Sequence, residues 1–261
     1  MRLAGRVALV TGSSSGIGRG VALAFASEGA DVVINHPAAA ETAAAEQVAA
    51  AVRQAGRRAL VVRADVSQEA EVERLVAAAR DAFGHIDILV NNAGGSPHSA
   101  VESASPRFID AVLKLNLVGP LYMAQAVYPH MKAQKGGGIV NIASVSGARP
   151  SPGTTVYGAA KAGLLNLTQS LAQEWGAEGV RVNAIIAGLM TTENAEETYG
   201  DAEAQAAVGR SMPLGRMGEG ADLAGAVMWL SSSDAAWVSG ARLQVDGGGE
   251  RPYFLDLVKG G

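Results

Sequence analysis

Short runs of β-branched and aliphatic residues alternate along the chain with longer Ala-rich stretches whose apolar positions recur at helical spacing. The short runs predict seven strands, at residues 7–10, 32–34, 60–62, 86–90, 139–142, 180–185 and 243–245. The longer stretches predict helices near residues 17–28, 40–55, 68–83, 105–133, 155–177 and 220–231. Strand–helix repetition of this kind builds a parallel sheet with helices on both faces, so ligands are expected beyond the carboxyl ends of the strands.

Signals for helix starts and for domain boundaries refine this picture. Ser67 before Gln68 and Ser105 before Pro106 are typical of residues that open helices. No linker rich in Pro, Ser or charge divides the chain, which predicts one α/β domain over residues 1–261. Residues 189–212 are polar and poorly periodic, which favours a mobile substrate lid, and a tail follows from about residue 250.

Composition and charge remove several classes of function. Because the chain has no cysteine, disulfides and thiolate metal sites are excluded. The four histidines (His36, His85, His98 and His130) lack ligand spacing, so no metal is expected. A net charge of −4 without Lys/Arg clusters argues against a nucleic-acid partner. No apolar run approaches the ~18 residues of a membrane span, and we expect a cytoplasmic protein without a membrane partner.

A glycine-rich turn, TGSSSGIG, follows the first predicted strand and opens the first predicted helix. Gly12 permits a tight turn, Gly16 lets the backbone approach a pyrophosphate, and Gly18 lets helix and sheet pack closely. A glycine trio alone is often an ordinary turn, but its place in the first βαβ unit predicts a dinucleotide site at a helix N-terminus. The expected contacts are Gly12, Ser14, Ser15, Gly16, Ile17 and Gly18.

Tyr157 and Lys161 lie one helical turn apart at the start of an Ala-rich helix, so both side chains project from one face. A cation within a few ångströms lowers a phenol's pKa by roughly 1 to 3 units, toward the range in which it both gives and takes a proton. Taken alone, the pair is more typical of surface neighbours. The sequence predicts proton-transfer chemistry only if further groups meet the pair.

Two such groups are Ser144 and Asn116. Ser144 closes the fifth predicted strand, where its hydroxyl could hydrogen-bond a substrate oxygen at the carboxyl edge of the sheet. Otherwise it is a loop serine or a helix cap. Asn116 lies inside a long predicted helix, where an inward-facing amide needs partners, and its alternative reading is a satisfied core amide.

These motifs together resemble the short-chain dehydrogenase/reductase family. The resemblance rests on TGSSSGIG, the turn Asn91-Asn92-Ala93-Gly94, Asn116, Ser144 and the run YGAAK from Tyr157 to Lys161, and it extends from residue 3 to about residue 249. It implies a single Rossmann-type, doubly wound, seven-stranded parallel sheet. It also implies a member similar to bacterial glucose dehydrogenases or 3-oxoacyl reductases.

The resemblance assigns roles to the catalytic residues. Tyr157 would be the general acid and base, Ser144 would orient and polarise the carbonyl, and Lys161 would bind the nicotinamide ribose and depress the tyrosine's pKa. Asn116 would hold a water linked to Lys161. Further contacts with the cofactor are implied for Asp65, Val66, Asn92, Ala93 and Gly94. The physical reading agrees, since donors from serine and tyrosine oppose the charge that builds on a ketone oxygen during reduction.

The end of the second strand departs from the family pattern. Asn35-His36-Pro37 stands where an acidic residue would bind the ribose 2′-hydroxyl of NAD, and Ser15 and Pro37 stand where NADP-preferring members often have Arg. The choice between NAD and NADP therefore stays open. We favour NADP slightly, because His36 or the hydroxyls of residues 13–15 could receive its 2′-phosphate. The alternative is that His36 is an exposed turn residue.

The turn after the sixth strand departs as well. The family usually has Pro-Gly here, whereas this chain has Ala187-Gly188. Losing the proline should leave the turn less rigid without touching proton or hydride transfer. The resemblance gives Gly188, Leu189 and Thr192 as contacts on the nicotinamide side, although the neighbouring Thr191 leaves the register open.

The expected function is an NAD(P)-dependent alcohol dehydrogenase or carbonyl reductase acting on a small secondary alcohol or ketone. One alternative is a dinucleotide-binding sensor or scaffold without turnover. Another is dehydratase or epimerase chemistry on a sugar nucleotide, whose enzymes usually carry a longer segment after the sixth strand. We also expect a homotetramer, in which the tail from Glu250 to Leu255 packs on a neighbouring subunit.

Overall fold

A computed structural model describes residues 1–193 and 195–250. Over these residues one parallel sheet has the strand order β3-β2-β1-β4-β5-β6-β7. Its strands are β1 Val7–Val10, β2 Asp31–His36, β3 Ala59–Arg63, β4 Ile88–Asn91, β5 Gly137–Ser144, β6 Val180–Ala187 and β7 Arg242–Val245. The predicted seven-stranded, doubly wound α/β fold is confirmed, because every predicted strand is present and every pairing is parallel.

Helices connect the strands. In the described residues they are α1 Gly16–Ser27, α2 Thr42–Gln54, α3 Glu69–Phe83, α4 Pro106–Leu113, α5 Gly119–Ala133, α6 Thr155–Trp175, α7 Ala195–Tyr199, α8 Ala202–Ser211 and α9 Gly220–Ser231. A π-helical turn, Lys114–Val118, joins α4 to α5. Short 3-10 helices lie at Ala39–Glu41, Val101–Ser103, Val145–Gly147, Gly176–Glu178 and Ser233–Ala235.

Two apolar layers cover the two faces of the sheet. On one face α1, α2 and α9 pack against β1, β2 and β4 through residues such as Phe25, Val48 and Val227. On the other face α3, α5 and α6 pack through residues such as Leu75 and Met123. The central strands β1, β2 and β4 are buried on both sides, which explains why they read as continuous apolar runs rather than as alternating ones.

The strand order reverses between β1 and β4. Val10 pairs with Ile34 of β2 on one side and with Val90 of β4 on the other, so the connections leaving β1 and β4 diverge to opposite faces. A crevice opens at such a reversal, beyond the carboxyl ends of the strands. The glycine-rich turn, which follows β1, therefore lies where ligands bind in sheets of this type.

The helix predicted near 105–133 is present from Pro106 to Ala133, but a π-helical turn divides it into two α-helices. Ser105 does cap a helix, since its hydroxyl accepts a hydrogen bond of 3.2 Å from the Phe108 amide, but α4 ends at Leu113. The π-helical turn follows, and there the Asn116 amide donates to the Val112 carbonyl at 2.9 Å. A side chain that bonds a carbonyl one turn back competes with the regular ladder, and single π turns often occur at functional sites.

Two smaller predictions also need correction. Gln68, not Ser67, is the residue before α3, which begins at Glu69. The poorly periodic segment 189–212 contains two helices, α7 and α8, and the Asp201 side chain caps α8 by accepting from the Ala204 amide. α7 is a single short turn and α8 lies largely at the surface, so neither shows a strong apolar period. No helix in the described part of the chain has the length and apolar character needed to cross a membrane.

Candidate active site

The glycine-rich turn is tightly packed at the crevice. Gly12 has a φ of 59°, and a Cβ placed there would lie 3.0 Å from the Ala93 Cα. A Cβ on Gly18 would come within 2.3 Å of the Gly12 carbonyl oxygen and 2.5 Å of the side-chain Nδ2 of Asn92. These two positions therefore require glycine, because the turn folds back onto the chain that leaves β4.

Three polar side chains brace this turn. Asn92 donates to the carbonyls of Thr11 and Gly12 at 2.8 and 3.0 Å. The Thr11 hydroxyl accepts from the amides of Asn92 and Ala93, both at 2.9 Å. Asn35 accepts from the Gly12 amide at 3.2 Å while its own amide donates to β3-side carbonyls. The sequence analysis assigned no role to Thr11 or Asn35, although a buried Asn at a strand end is a signal for such bracing.

The N-terminus of α1 already holds a carboxylate. Ser15 precedes α1 in an extended conformation without a side-chain cap. The Gly16 amide instead donates to Glu193 at 2.9 Å, and Arg19 lies 3.3 Å from the same carboxylate. An anion at this helix end is what the amide groups and the helix dipole favour. The turn therefore suits the pyrophosphate of a dinucleotide, and Ile17 supports it by packing against the core.

Most of the groups expected to receive a 2′-phosphate are buried and make hydrogen bonds to other groups. The Ser13 hydroxyl donates to the Val10 carbonyl at 2.8 Å, and the Ser14 hydroxyl donates to Glu41 at 2.6 Å. His36 is 1% exposed, and its Nδ1 is 2.9 Å from the Ala38 carbonyl. The alternative of an exposed turn histidine was therefore wrong. Of the residues considered for the phosphate, Ser15 is the exposed one.

The remaining predicted adenosine-side residues follow β3 and β4. Asp65 accepts from the Ser67 amide at 2.9 Å, and its own amide donates to Glu71 at 2.7 Å. Val66 is buried. Ala93 is half-buried and Gly94 is exposed, directly beyond the carboxyl end of β4. All of them lie at the same edge of the sheet as the glycine-rich turn.

Ser144 and Tyr157 meet at the carboxyl end of β5. Ser144 is the last residue of β5, and its hydroxyl accepts from the Ser146 amide at 3.2 Å, so it also caps the 3-10 helix Val145–Gly147. Tyr157 lies in the first turn of α6, and its phenol is close enough to Ser144 for the serine hydroxyl to act on the pKa of the phenol. The structure thus joins two residues that the sequence keeps in separate elements.

Burial sets the pKa of the Tyr157 phenol. Burial raises this pKa above 10.0, the hydrogen bond with Ser144 opposes the shift, and the nearby phenol of Tyr199 on α7 adds to it. The expectation that Lys161 lowers the pKa below its usual value was wrong for the protein alone. The Lys161 ammonium lies 5.6 Å from the centre of the tyrosine ring, and its influence does not outweigh the loss of water.

Lys161 is a buried amine. Its Nζ donates to the Ile142 carbonyl of β5 at 2.9 Å, and burial lowers its pKa from 10.5 to about 8. The amine is still protonated at neutral pH because its pKa of about 8 lies above 7. A buried cation beside a phenol is able to stabilise negative charge that forms on that phenol.

Asn116 lies next to Lys161. Its amide donates to the Gly95 carbonyl and accepts from the Gly95 amide, both at 2.9 Å, and it is fully buried. Both polar atoms of the Asn116 side chain thus have hydrogen-bond partners, which agrees with the alternative of a satisfied core amide. A Cβ placed on Gly94 would lie 2.7 Å from the Asn116 oxygen and 3.1 Å from the Lys161 Nζ. Gly94 thus lets the chain pass close to both side chains.

The turn after β6 closes the other side of the crevice. Gly188 packs against β7, since a Cβ there would lie 2.6 Å from the Asp246 Cα. Leu189 is half-buried, and Thr192 lies against the glycine-rich turn, its Cγ2 being 3.6 Å from a Cβ placed on Gly16. The segment that begins here therefore reaches the N-terminus of α1.

A cavity of about 380 Å³ lies beside the carboxyl ends of β5 and β6. Val145, Leu189 and Met212 give it apolar walls, and Arg149 and Glu250 form an ion pair at its rim. The tail contact was predicted for residues 250–255, of which residues 251–255 lie outside the described residues. No group of three His, Asp or Glu side chains in the described residues is arranged to hold a metal ion.

Comparison with known proteins agrees with this geometry. Residues 12–250 match a family described as Enoyl-(Acyl carrier protein) reductase. The chain is 38% identical to an L-rhamnose 1-dehydrogenase (NAD(P)(+)) of Sphingomonas sp., covering 94% of this chain and 96% of that protein. It is also 38% identical to a 3-oxoacyl-[acyl-carrier-protein] reductase of Synechocystis sp., covering 94% and 97%.

Solved structures agree as well. The crystal structure of levodione reductase superposes with a TM-score of 0.88 at 33% identity, covering 95% of this chain and 98% of that one. Fold and site together define an oxidoreductase built on a Rossmann-type sheet. The chain belongs to the short-chain dehydrogenase/reductase family, as its motifs indicated.

Proposed function

We propose that the protein transfers hydride reversibly between a nicotinamide dinucleotide and the carbinol or carbonyl carbon of a secondary alcohol or ketone, with Tyr157 as general acid and base. The observation that carries this proposal is the contact between the Tyr157 phenol and Ser144 at the carboxyl edge of the sheet. The alternative from another class is a dinucleotide-binding sensor or scaffold without turnover.

The proton chemistry follows from the pKa directions. The raised pKa of Tyr157 keeps the phenol protonated at neutral pH, so it is ready to donate to the carbonyl oxygen of a ketone. Ser144 is the second donor to that oxygen. When the alcohol is oxidised, Tyr157 has to react as its phenolate: the phenol first loses its proton to solvent, and the phenolate then takes the hydroxyl proton of the alcohol. The Lys161 ammonium stabilises the negative charge of that phenolate.

A bound nicotinamide dinucleotide supplies or accepts the hydride in this scheme. The turn after β1 would hold its pyrophosphate through Gly12, Gly16, Ile17 and Gly18. Asp65, Val66, Asn92, Ala93 and Gly94 would line its adenosine side. Lys161 would bind the nicotinamide ribose, while Gly188, Leu189 and Thr192 would line the nicotinamide side.

The substrate class is proposed from the cavity beside Ser144. Apolar walls with polar groups at the rim suit a small molecule that carries both an alkyl surface and hydroxyl or carbonyl groups. Arg149 is paired with Glu250 and so is not a free cation for the phosphate of an acyl carrier. We therefore place small secondary alcohols and ketones, sugars among them, ahead of acyl-carrier substrates.

The test is oxidation and reduction of the nicotinamide, followed by absorbance, with a panel of sugars, cyclic ketones, simple ketones and a 3-oxoacyl thioester. Tyr157→Phe should lower kcat by about 100- to 10,000-fold while dinucleotide binding persists. The matched control is Tyr128→Phe, whose ring stacks on Trp175 with centroids 4.3 Å apart. Unchanged turnover in Tyr157→Phe would overturn the assignment. Binding without turnover on the whole panel favours the sensor.

The homotetramer and the cytoplasmic location stay predictions. Light scattering coupled to size-exclusion chromatography measures the first, and fractionation of the source cells measures the second.

A further inference from the structure

The adenosine end of the site contains the carboxylate of Glu41, a residue that belongs to none of the sequence motifs. Glu41, the last residue of the 3-10 helix Ala39–Glu41, accepts a hydrogen bond of 2.6 Å from the Ser14 hydroxyl. We propose that Glu41 determines cofactor specificity: it replaces the carboxylate missing from the end of β2, binds a ribose hydroxyl of NAD and repels the 2′-phosphate of NADP. This inference rests on the dinucleotide site of the proposed function.

The local geometry places Glu41 where such selection takes place. Ser14 lies in the turn after β1, and Glu41 comes from the connection between β2 and α2, so their hydrogen bond joins the two chain segments that flank the adenosine end of a Rossmann-type site. Ser14 is buried, whereas Glu41 is half-exposed, so the carboxylate that accepts from Ser14 is also partly open to solvent.

Three of the four donors that would favour NADP are engaged elsewhere, and the exposed Ser15 is the fourth. Ser13 donates to the Val10 carbonyl and also accepts from the Asn35 amide at 3.1 Å. His36 is buried, with its Nδ1 at the Ala38 carbonyl. Together with the Ser14–Glu41 contact, these hydrogen bonds favour NAD over NADP. The slight preference for NADP that the sequence suggested is therefore reversed in this proposal. A 2′-phosphate would meet the Glu41 carboxylate, with the exposed Ser15 hydroxyl as the remaining donor among the four candidates.

One cation nearby argues in the other direction and has to be part of the test. Arg63 ends β3, is exposed, and pairs in register with His36 of β2. Asp65, two positions further along the same chain, adds a second carboxylate to this end of the sheet. If a 2′-phosphate is accepted at all, Arg63 is the side chain that would pair with it.

The experiment is titration calorimetry of the full-length protein with NAD, NADP, 5′-AMP and 2′,5′-ADP. We expect the wild type to bind NAD at least about tenfold more tightly than NADP, and Glu41→Gln to improve NADP binding by about 10- to 100-fold. Binding of NAD by Glu41→Gln should weaken modestly, because a hydrogen bond to the ribose loses its charge. The wild type should bind 5′-AMP more tightly than 2′,5′-ADP, which is the same order as for NAD and NADP. These two fragments lack the nicotinamide, so they test the adenosine side by itself.

Glu46→Gln is the matched control, because Glu46 is an exposed glutamate on α2 whose partner is Arg53, at 3.4 Å. It should leave the ratio of the two affinities unchanged. A wild type that prefers NADP, or a ratio that Glu41→Gln does not move, overturns the inference. If the wild type prefers NADP and Arg63→Gln removes that preference, Arg63 rather than Glu41 determines the specificity, and the inference is also overturned. Binding of neither dinucleotide would contradict the proposed function itself, which separates the two failures.

Discussion

The carboxylate of Glu193 accepts a hydrogen bond of 2.9 Å from the backbone amide of Gly16, the first residue of α1. Glu193 belongs to the segment that follows β6, so a side chain from one end of the sheet lies over the helix end proposed to bind the pyrophosphate. Two anions cannot share one amide and one helix dipole without mutual repulsion. The dinucleotide therefore has to displace Glu193.

Removing this charge should strengthen cofactor binding. We expect Glu193→Gln to lower the Kd for the dinucleotide by about two- to tenfold, because the competing carboxylate and its contact with Arg19 are lost. Titration calorimetry measures the change, and Glu197→Gln on the exposed side of α7 serves as the control. Weaker binding in Glu193→Gln would mean that Glu193 does not oppose the cofactor.

The buried Lys161 should make stability depend on alkaline pH. Its folded pKa of about 8 lies below the unfolded value of 10.5, so burying the ammonium costs stability below pH 8. That cost is relieved as the pH rises from about 8 to 10.5, by about 3 kcal/mol in total. In Lys161→Met this rise in the free energy of unfolding should be absent.

Urea unfolding between pH 7 and 10 provides the measurement for Lys161→Met. Lys114→Met, which replaces an exposed lysine, should keep the wild-type slope. A wild type and a Lys161→Met variant with parallel pH profiles would show that the amine is not buried as a cation.

A methyl group at Gly94 should displace the side chains of Asn116 and Lys161 without changing their chemistry. The Cβ of Gly94→Ala would lie 2.7 Å from the Asn116 oxygen and 3.1 Å from the Lys161 Nζ, so at least one of them has to move. We expect kcat to fall by at least about tenfold and stability by about 1–3 kcal/mol. Gly225→Ala is the control, because a Cβ there meets no heavy atom within 4 Å. Equal activity of the two variants would contradict the close approach.

Asp222 should stabilise the start of α9 only while it is ionised. Hydrogen bonds from Arg216 and from the Glu219 amide lower its pKa from 3.8 to about 2. The contribution is therefore complete above about pH 4 and is lost as the pH falls toward 2. Asp222→Asn should cost about 1 kcal/mol at pH 7 and show a shallower acid dependence between pH 5 and 3. Asp110→Asn, at an exposed position on α4, should match the wild type in thermal unfolding at each pH.

Local patterns were sufficient for the strands and for the motifs that end or follow them. The buried strands are continuous apolar runs, so their number and type could be predicted, while their ends shifted by a few residues, as with β5 reaching Ser144. Tyr157 and Lys161 could be paired from helical spacing alone, since both lie on α6. The π-helical turn at Asn116 could not be predicted, because it is coupled to hydrogen bonds with Gly95 that the local sequence does not reveal.

The sequence by itself thus determined the strand–helix order and the glycine-rich turn, because these depend on periodicity and on spacing along the chain. It identified the catalytic candidates through the resemblance of their motifs to a known family. Only the tertiary structure decided that burial raises the pKa of Tyr157, and that Glu41 and Glu193 reach the glycine-rich turn. Burial and charge contacts of this kind depend on which distant segments meet at the sheet edge, and that is fixed by packing rather than by neighbours in sequence.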